Sequence, residues 1–232
     1  MSLFEPLHLS CPACGSRVAF DVVHSVNADR RADLRDAILA GTFQRQTCPT
    51  CALDFRCDPE LHYIDVGRRQ WVAALPLAKL VHWQEAERHA RELFQRVYGA
   101  QASAHTRAIG EQLVPRVTFG WAGLCEKVLA ADEGLDDVVI ELCKAAVLRA
   151  SEEAPLAAET ELRLVAVDAQ GLVMAWMLTE DESTGDMLRL QRSLYDEVAA
   201  DADGGWATLR AELTQCMYVD LNRLMMADPV KP

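Results

Sequence analysis

The chain has 232 residues, half of them hydrophobic, and a formal net charge of −12. That length allows a sizeable core in one large or two small domains, and the apolar content excludes wholesale disorder. The acidic balance argues against nucleic acid as a partner, because phosphate contacts call for an electropositive face.

The charge is uneven. Basic against acidic residues number 8 and 9 through Leu75, 9 and 12 from Pro76 to Glu153, and 6 and 14 from Ala154 onward. Only the nearly neutral first third could present a basic patch. Arg30-Arg31 and Arg68-Arg69 are the candidates, although such doublets ordinarily read as solvated surface. No run approaches the roughly 20 apolar residues of a membrane span, and no basic region followed by an apolar stretch opens the chain. The expectation is a soluble cytoplasmic protein with no membrane partner.

In chain order, residues 1–10 read as a short lead-in, with Phe4 and Leu7 available to pack. Two cysteine knuckles follow, Cys11-Pro12-Ala13-Cys14-Gly15 and Cys48-Pro49-Thr50-Cys51-Ala52, with 33 residues between Cys14 and Cys48. A two-residue gap lets both thiolates of a pair turn towards one point, and two pairs supply the four soft ligands that tetrahedral Zn²⁺ prefers. Cys11, Cys14, Cys48 and Cys51 therefore read as a structural zinc site. Such a site is closed, so it explains folding better than catalysis. Two rivals stay open. Cys-Pro-x-Cys also resembles a redox dithiol, but Cys14 leads into a strand-like alternation rather than a helix that would lower its pKa. Structural disulfides are the other, and they fit poorly without a secretory leader. Cys57, Cys125, Cys143 and Cys216 read as small apolar residues.

The segment between the knuckles needs structure of its own. Arg17 to Val26 reads as a strand with Val18, Phe20 and Val22 on one face. Asp33 to Ala40 is an amphipathic helix with Gly41 as its C-terminal cap, and Thr42 to Gln46 reads as a return strand. Beyond the second knuckle, Leu53 to Cys57, Leu61 to Val66 and Gln70 to Leu75 are predicted strands, which makes the first 75 residues a small antiparallel unit around the metal. Few large apolar residues are available there, the situation in which a metal staple helps most.

From Lys79 the period becomes helical, with Leu80, Trp83, Ala86, Ala90, Leu93, Phe94 and Val97 in phase until Gly99. Glu87 with Arg91 and Arg88 with Glu92 are expected as exposed pairs one turn apart. A weaker helix covers Ala104 to Val114, and two more cover Ala122 to Ala131 and Asp136 to Ala150. Glu152 to Thr160 is a polar linker and the expected domain boundary, giving residues 1–153 and 154–232. The tail is predicted as a hairpin, Glu161 to Asp168 and Leu172 to Leu178, with both faces at least partly covered. A helix from Asp186 to Asp201 and a last helix from Trp206 to Met226 follow. The fold class is α+β, with a zinc-ribbon-like antiparallel β unit holding an inserted helix, a helical middle and a C-terminal hairpin plus helices.

The pieces CPACG at 11–15, SVNADRRADLRDAILAGTF at 25–43, CPTC at 48–51 and DPELHYIDVGRRQWVAALP at 58–76 resemble the bacterial CpXC-type domain family, named for its two Cys-Pro-x-Cys motifs. FGWAGLCEKVLAADEGLDDVVIELCKA at 119–145 is similar to what can follow in such proteins. The resemblance implies zinc held by Cys11, Cys14, Cys48 and Cys51, names no catalytic residue, and is silent on residues 155–232. Ala52 stands where a glycine often follows the last cysteine, which predicts a slightly distorted second knuckle.

Other chemistry is weaker. His82, Glu85 and His89 share a helical face and would be part of a second metal site, or simply a partly exposed face. His8, His24, His62 and His105 are scattered. Asp136, Asp137 and Glu141 invite carboxylate catalysis, yet capping and the helix dipole account for the first two. The acidic runs Glu180-Asp181-Glu182 and Asp201-Ala202-Asp203 lack calcium-loop spacing and read as solvated loops. Trp121, Trp176 and Trp206 read as core anchors. No phosphate loop, dinucleotide fingerprint or nucleophile elbow occurs. The leading expectation is a non-enzymatic, zinc-stabilised interaction or scaffold module with a protein partner or a second copy of itself. A nucleic-acid-associated regulator and a dithiol or metal-dependent enzyme are the alternatives.

Overall fold

The structure is a computed structural model that describes residues 3–151, 160–179, 182–201 and 203–226. The chain forms two compact units, one through Cys125 and one from Glu126 onward. The expected boundary at 152–160 falls almost wholly outside the described residues. No helix among the described residues is long and apolar enough to cross a membrane.

The first unit opens with β1 (Leu3–Ser10) and β2 (Arg17–Asn27), an antiparallel hairpin in which Ser10 faces Arg17. The lead-in is thus a strand. Pro6 disguises it in the sequence, and its place at the edge of the sheet is where a residue without an amide proton is tolerated. Along β2, Val18, Phe20 and Val22 alternate inward as expected. Helix α1 (Ala32–Leu39) buries Leu34 and Ile38, and Gly41 takes the left-handed conformation just beyond its end.

The return strand begins later than Thr42. Gln44 turns the chain with φ 58°, so that β3 (Arg45–Thr47) pairs with β4 (Asp54–Arg56) as a separate two-stranded hairpin. Gln44 uses its side chain instead, accepting from the Val23 amide and donating to the Asp21 carbonyl of β2.

Strands β5 (Leu61–Asp65) and β6 (Gln70–Leu75) are antiparallel to each other. Asp29, in the turn after β2, fixes their connection by accepting from the Val66 and Gly67 amides at 2.8 and 3.0 Å. A 3₁₀ turn (Leu77–His82), α2 (Trp83–Tyr98) and α3 (Ala104–Gly110) come next, the last capped by the Ser103 hydroxyl. Residues Val114–Phe119, expected to end a helix and lead into another, form β7. The sheet order is β1-β2-β5-β6-β7, with β2–β5 and β6–β7 parallel, so the sheet is mixed rather than antiparallel and extends past residue 75. Between antiparallel β5 and parallel β7, β6 is an inner strand buried almost throughout, and its sequence accordingly loses its alternation. Glu87 is not exposed: it is buried and pairs with Arg91, while Arg88 turns to Glu85 rather than Glu92.

Helix α4 (Gly120–Asp132) crosses the division between the units. In the second unit, α5 (Asp137–Ala150) starts at Asp136, whose carboxylate accepts from the Val138 amide. Strands β8 (Thr160–Asp168) and β9 (Gly171–Leu178) form the predicted hairpin. A third strand, β10 (Thr184–Gln191), replaces the first half of the predicted helix, and α6 (Arg192–Ala200) keeps only its end. Leu188 and Leu190 repeat at a spacing of two, a signal hidden by the polar residues around them. Leu164, Leu172, Met174, Ile140, Leu142 and Leu213 centre the core of this unit.

The predicted last helix is two helices, α7 (Ala207–Thr214) and α8 (Leu221–Met225). The break has an electrostatic cause. Around it lie Glu126, Lys127, Glu141, Lys144, Glu161, Arg163 and Asp220, all buried, with Asp137 at the margin. Lys144 is shared between Glu126 at 2.7 Å and Glu141 at 2.8 Å, and Arg163 reaches Asp220 at 2.7 Å, Glu126 at 3.2 Å and Glu161. The unwound segment supplies the remaining partners: the Val219 carbonyl accepts from Lys127, and the Leu221 amide donates to Glu141. A continuous helix would have spent both groups on itself.

Five carboxylates face three cations in this cluster, an excess of two, and one buried acid carries a raised pKa in consequence. It is Glu141, pushed up to about 7 by burial and by the nearby Asp220 and Glu126 charges, against the pull of Lys144. Asp220 goes the other way, to about 2: Arg163, then Lys144, outweigh its burial. A raised carboxylate pKa means that the folded state holds a proton the unfolded chain releases. Glu141 therefore contributes stability below its ordinary value of 4.5 that is lost as pH rises through about 7. Hydrogen exchange at the β8–β9 amides should show protection falling across that window, and Glu141→Gln should remove that slope. Arg163→Met, which takes a cation from three buried carboxylates and leaves Asp220 and Glu161 without one, should cost about 3–5 kcal/mol.

Candidate metal centre

Each cysteine pair forms the turn of a hairpin. In the first, between β1 and β2, the Cys11 amide donates to the Ser16 carbonyl at 2.8 Å and the Gly15 amide to the Cys11 carbonyl at 2.9 Å. In the second, between β3 and β4, the Cys48 amide donates to the Leu53 carbonyl at 2.8 Å and the Ala52 amide to the Cys48 carbonyl at 2.9 Å. The two turns have the same construction. Gly15 has φ 70° and Ala52 φ 60°, so the expected distortion of the second knuckle is absent; Ala52 takes the left-handed conformation despite its Cβ.

The turns face each other. All four sulfurs lie within 4.8 Å of one another, with Cys11 to Cys51 at 3.6 Å and Cys14 to Cys48 at 3.7 Å. Four ligands at ~2.3 Å around a tetrahedral centre would stand ~3.8 Å apart. The donor set thus fits a single ion held equally by both hairpins, and the four cysteines could bind a metal. Cys11 and Cys48 are buried, whereas Cys14 and Cys51 are exposed. Beneath them Val18, Phe20 and Val22 pack with Leu7, Leu9 and Phe55, and the Phe20 and Phe55 rings stand 5.3 Å apart. This small apolar cluster joins the two hairpins on the side away from the exposed sulfurs.

Backbone and hydroxyl donors prepare the sulfurs for negative charge. The Ser16 hydroxyl, 3.0 Å away, and then the Ser16 amide bring Cys14 down to about 6. Amides of Cys51 and Thr50 lower Cys48. Cys51 also accepts an amide, from Leu53, yet it is pushed up to about 12, because the sulfurs of Cys14, Cys11 and Cys48, with partial desolvation, together outweigh that donor. Four thiolates cannot share this space alone; a divalent cation removes the conflict, since coordination deprotonates a thiol outright.

Cys57 packs beside the centre without joining it, its thiol raised by burial and then by Asp58. Cys125 and Cys216 are half-buried, each donating to a backbone carbonyl, and Cys143 is buried. Among the described residues, the four knuckle cysteines are the one group of three or more His, Cys, Asp or Glu side chains close enough to hold an ion. His82, Glu85 and His89 do not converge with any third ligand; they line a groove together with His62. His24 pairs with Glu5 at 2.9 Å. The basic doublets are partly spent internally, Arg31 on Asp33, Arg68 on Asp65 and Arg69 on the Gln112 carbonyl. Trp121 is a core anchor, donating to the Cys57 carbonyl with the Arg56 guanidinium 3.8 Å from its ring centre. Trp176 and Trp206 pack at the edge of the second unit's core. Parts of both acidic runs, at Glu180, Asp181 and Ala202, lie outside the described residues.

Sequence reasoning missed Ser16 as a donor to Cys14, Asp29 as the clamp on the β5–β6 turn, and the ionic cluster of the second unit. A serine two residues after a knuckle cysteine was a visible signal for the first. The other two depend on long-range contacts and left no local pattern.

A family model described as CpXC protein matches residues 9–144. The chain belongs to the CpXC family. The match takes in all four cysteines, both hairpin turns and the mixed sheet from β2 onward, and ends inside α5, before β8. Comparisons with curated proteins and with solved structures return no match.

The left-handed alanine offers a direct test of how the second knuckle is built. An L-residue with a Cβ costs roughly 1–2 kcal/mol in this conformation. Ala52→Gly should therefore raise stability by about 1 kcal/mol in denaturant titrations, whereas Gly15→Ala should lower it by a similar amount.

Proposed function

We propose that the CpXC protein is a zinc-stabilised interaction module rather than an enzyme, with Zn²⁺ held by Cys11, Cys14, Cys48 and Cys51. The observation that carries this reading is the mutual approach of four sulfurs from two hairpin turns, at separations suited to a tetrahedral ion. Zinc is favoured over other soft-ligand metals because it takes four thiolates without redox chemistry and imposes no geometry beyond the tetrahedron. A four-thiolate site of this kind has no open position, so the ion would hold the hairpins together and leave substrate chemistry nowhere to occur. Its fixed surface, together with the acidic second unit, would serve a protein partner or a second copy of the chain in the cytoplasm. Use of the first unit's arginines within the fold supports a protein rather than a nucleic-acid partner.

A second reading, a dithiol oxidoreductase, draws on Cys14, which is exposed and held near 6. Two features weigh against it. Cys14 lies in a hairpin turn rather than at a helix N-terminus, and its sulfur stands 3.7 Å from that of Cys48 in the other knuckle.

Metal analysis of purified protein separates the two. The interaction module requires one zinc per chain, cooperative loss of the first unit's structure on chelation, and loss of metal in Cys48→Ser. A metal-free chain that stays folded and forms a Cys11–Cys14 disulfide would sink the zinc reading.

A further inference from the structure

The metal centre leaves one concave feature of the first unit unexplained. Between β5–β6 and the α2 helix lies a groove of about 580 Å³. Its walls are apolar: Ala73 and Leu75 from β6, Ala86, Ala90 and Leu93 from α2. His62 closes one side, with its ring stacked at 5.4 Å on Trp71. This volume lies within the range of small-molecule pockets, roughly 300–1,000 Å³, and the pattern of apolar walls with few polar groups is theirs as well.

The polar groups are mostly basic. Lys79, His82, His89 and Arg96 stand along the groove with one lining carboxylate, Glu85, paired with Arg88 at 3.6 Å, while Lys79 is itself paired with Glu60 at 2.5 Å. His82, His89 and Arg96 recur at seven-residue intervals, which places them in one row along α2 and its leading turn. Most arginines of this unit are held by a carboxylate or a carbonyl, as Arg91 is by Glu87 and Arg107 by the Ala102 carbonyl. Among the described residues Arg96 has no such partner, and neither histidine is hydrogen-bonded. In a chain of net charge −12, a row of uncommitted cationic and neutral donors above an apolar floor is complementary to one kind of occupant.

We infer that this groove binds a small amphiphilic carboxylate, with the hydrocarbon body against Ala73, Leu75, Ala86 and Leu93 and the carboxylate at Arg96 and His89. The guanidinium supplies charge-assisted donors in a planar fork that matches a carboxylate. The site is separate from the four-cysteine centre, so the inference stands or falls independently of the metal.

Calorimetric titration of the full chain with decanoate tests it. Decanoate should bind saturably at one site, and 1-decanol, with the same body but no charge, at least tenfold more weakly. Arg96→Gln, an exposed position, should raise the decanoate Kd about tenfold while leaving decanol unchanged, as expected for loss of one charge-assisted contact. Ala86→Phe, which fills the groove, should abolish binding of both without changing the bound metal. Equal affinity for decanoate and decanol, or no saturation by decanoate at about millimolar concentration, would overturn the assignment. So would an acidic amphipathic helical peptide that binds in clear preference to decanoate, since the groove would then belong to a protein partner.

Discussion

Two hairpin turns facing each other across a few ångströms of sulfur are the constraint on which the N-terminal unit rests. A β-turn normally closes a strand pair and nothing more. Here each turn also carries two thiols on one side, and the four sulfurs meet at separations of 3.6 and 3.7 Å across the two hairpins. The β3–β4 ladder has only three residue pairs and its β3 residues are all exposed, so it cannot be held by its own core. What fixes it is the sulfur cluster above and the contact of Phe55 with Phe20 below. The neighbouring sulfurs that raise the Cys51 thiol are the groups whose negative charge a cation at the centre would offset.

The second unit solves a different problem. Its core encloses eight charged side chains, seven of them buried, and surrounds them with backbone donors and acceptors. Buried ion clusters are costly to desolvate and rarely improve on well-packed apolar side chains, so their effect is better read as specification. The observed arrangement of α4, α5, β8 and the break before α8 brings these charges within ion-pair or hydrogen-bond distance of one another. The helix that sequence periodicity runs from Trp206 to Met226 is interrupted because Lys127 and Glu141 require its carbonyl and amide.

The family match reaches residue 144 and covers the sulfur cluster and the mixed sheet from β2 onward, but not the strands that complete the second unit. That distribution parallels the chemistry. The first unit carries the groups that can hold an ion and the groove beside α2, while the second carries charges turned inward on one another.

The cysteine spacing marked the four sulfurs that converge, since a two-residue gap within each pair constrains the sulfurs locally whatever lies between. Other elements were legible for the same reason: β2, α1, β5, β6, α2, α5 and the β8–β9 hairpin each carry their period in a few consecutive residues. Tertiary structure decided the rest. β1 and β7 are hidden by Pro6 and Pro115, which deny a local strand pattern but are tolerated where the sheet needs no amide from them. β10 and the break before α8 answer to neighbours remote in sequence, a paired strand in one case and buried charges in the other. Whether β2 runs parallel to β5, and whether Ala52 could match Gly15, were settled by packing and hydrogen bonds that no short stretch of residues encodes.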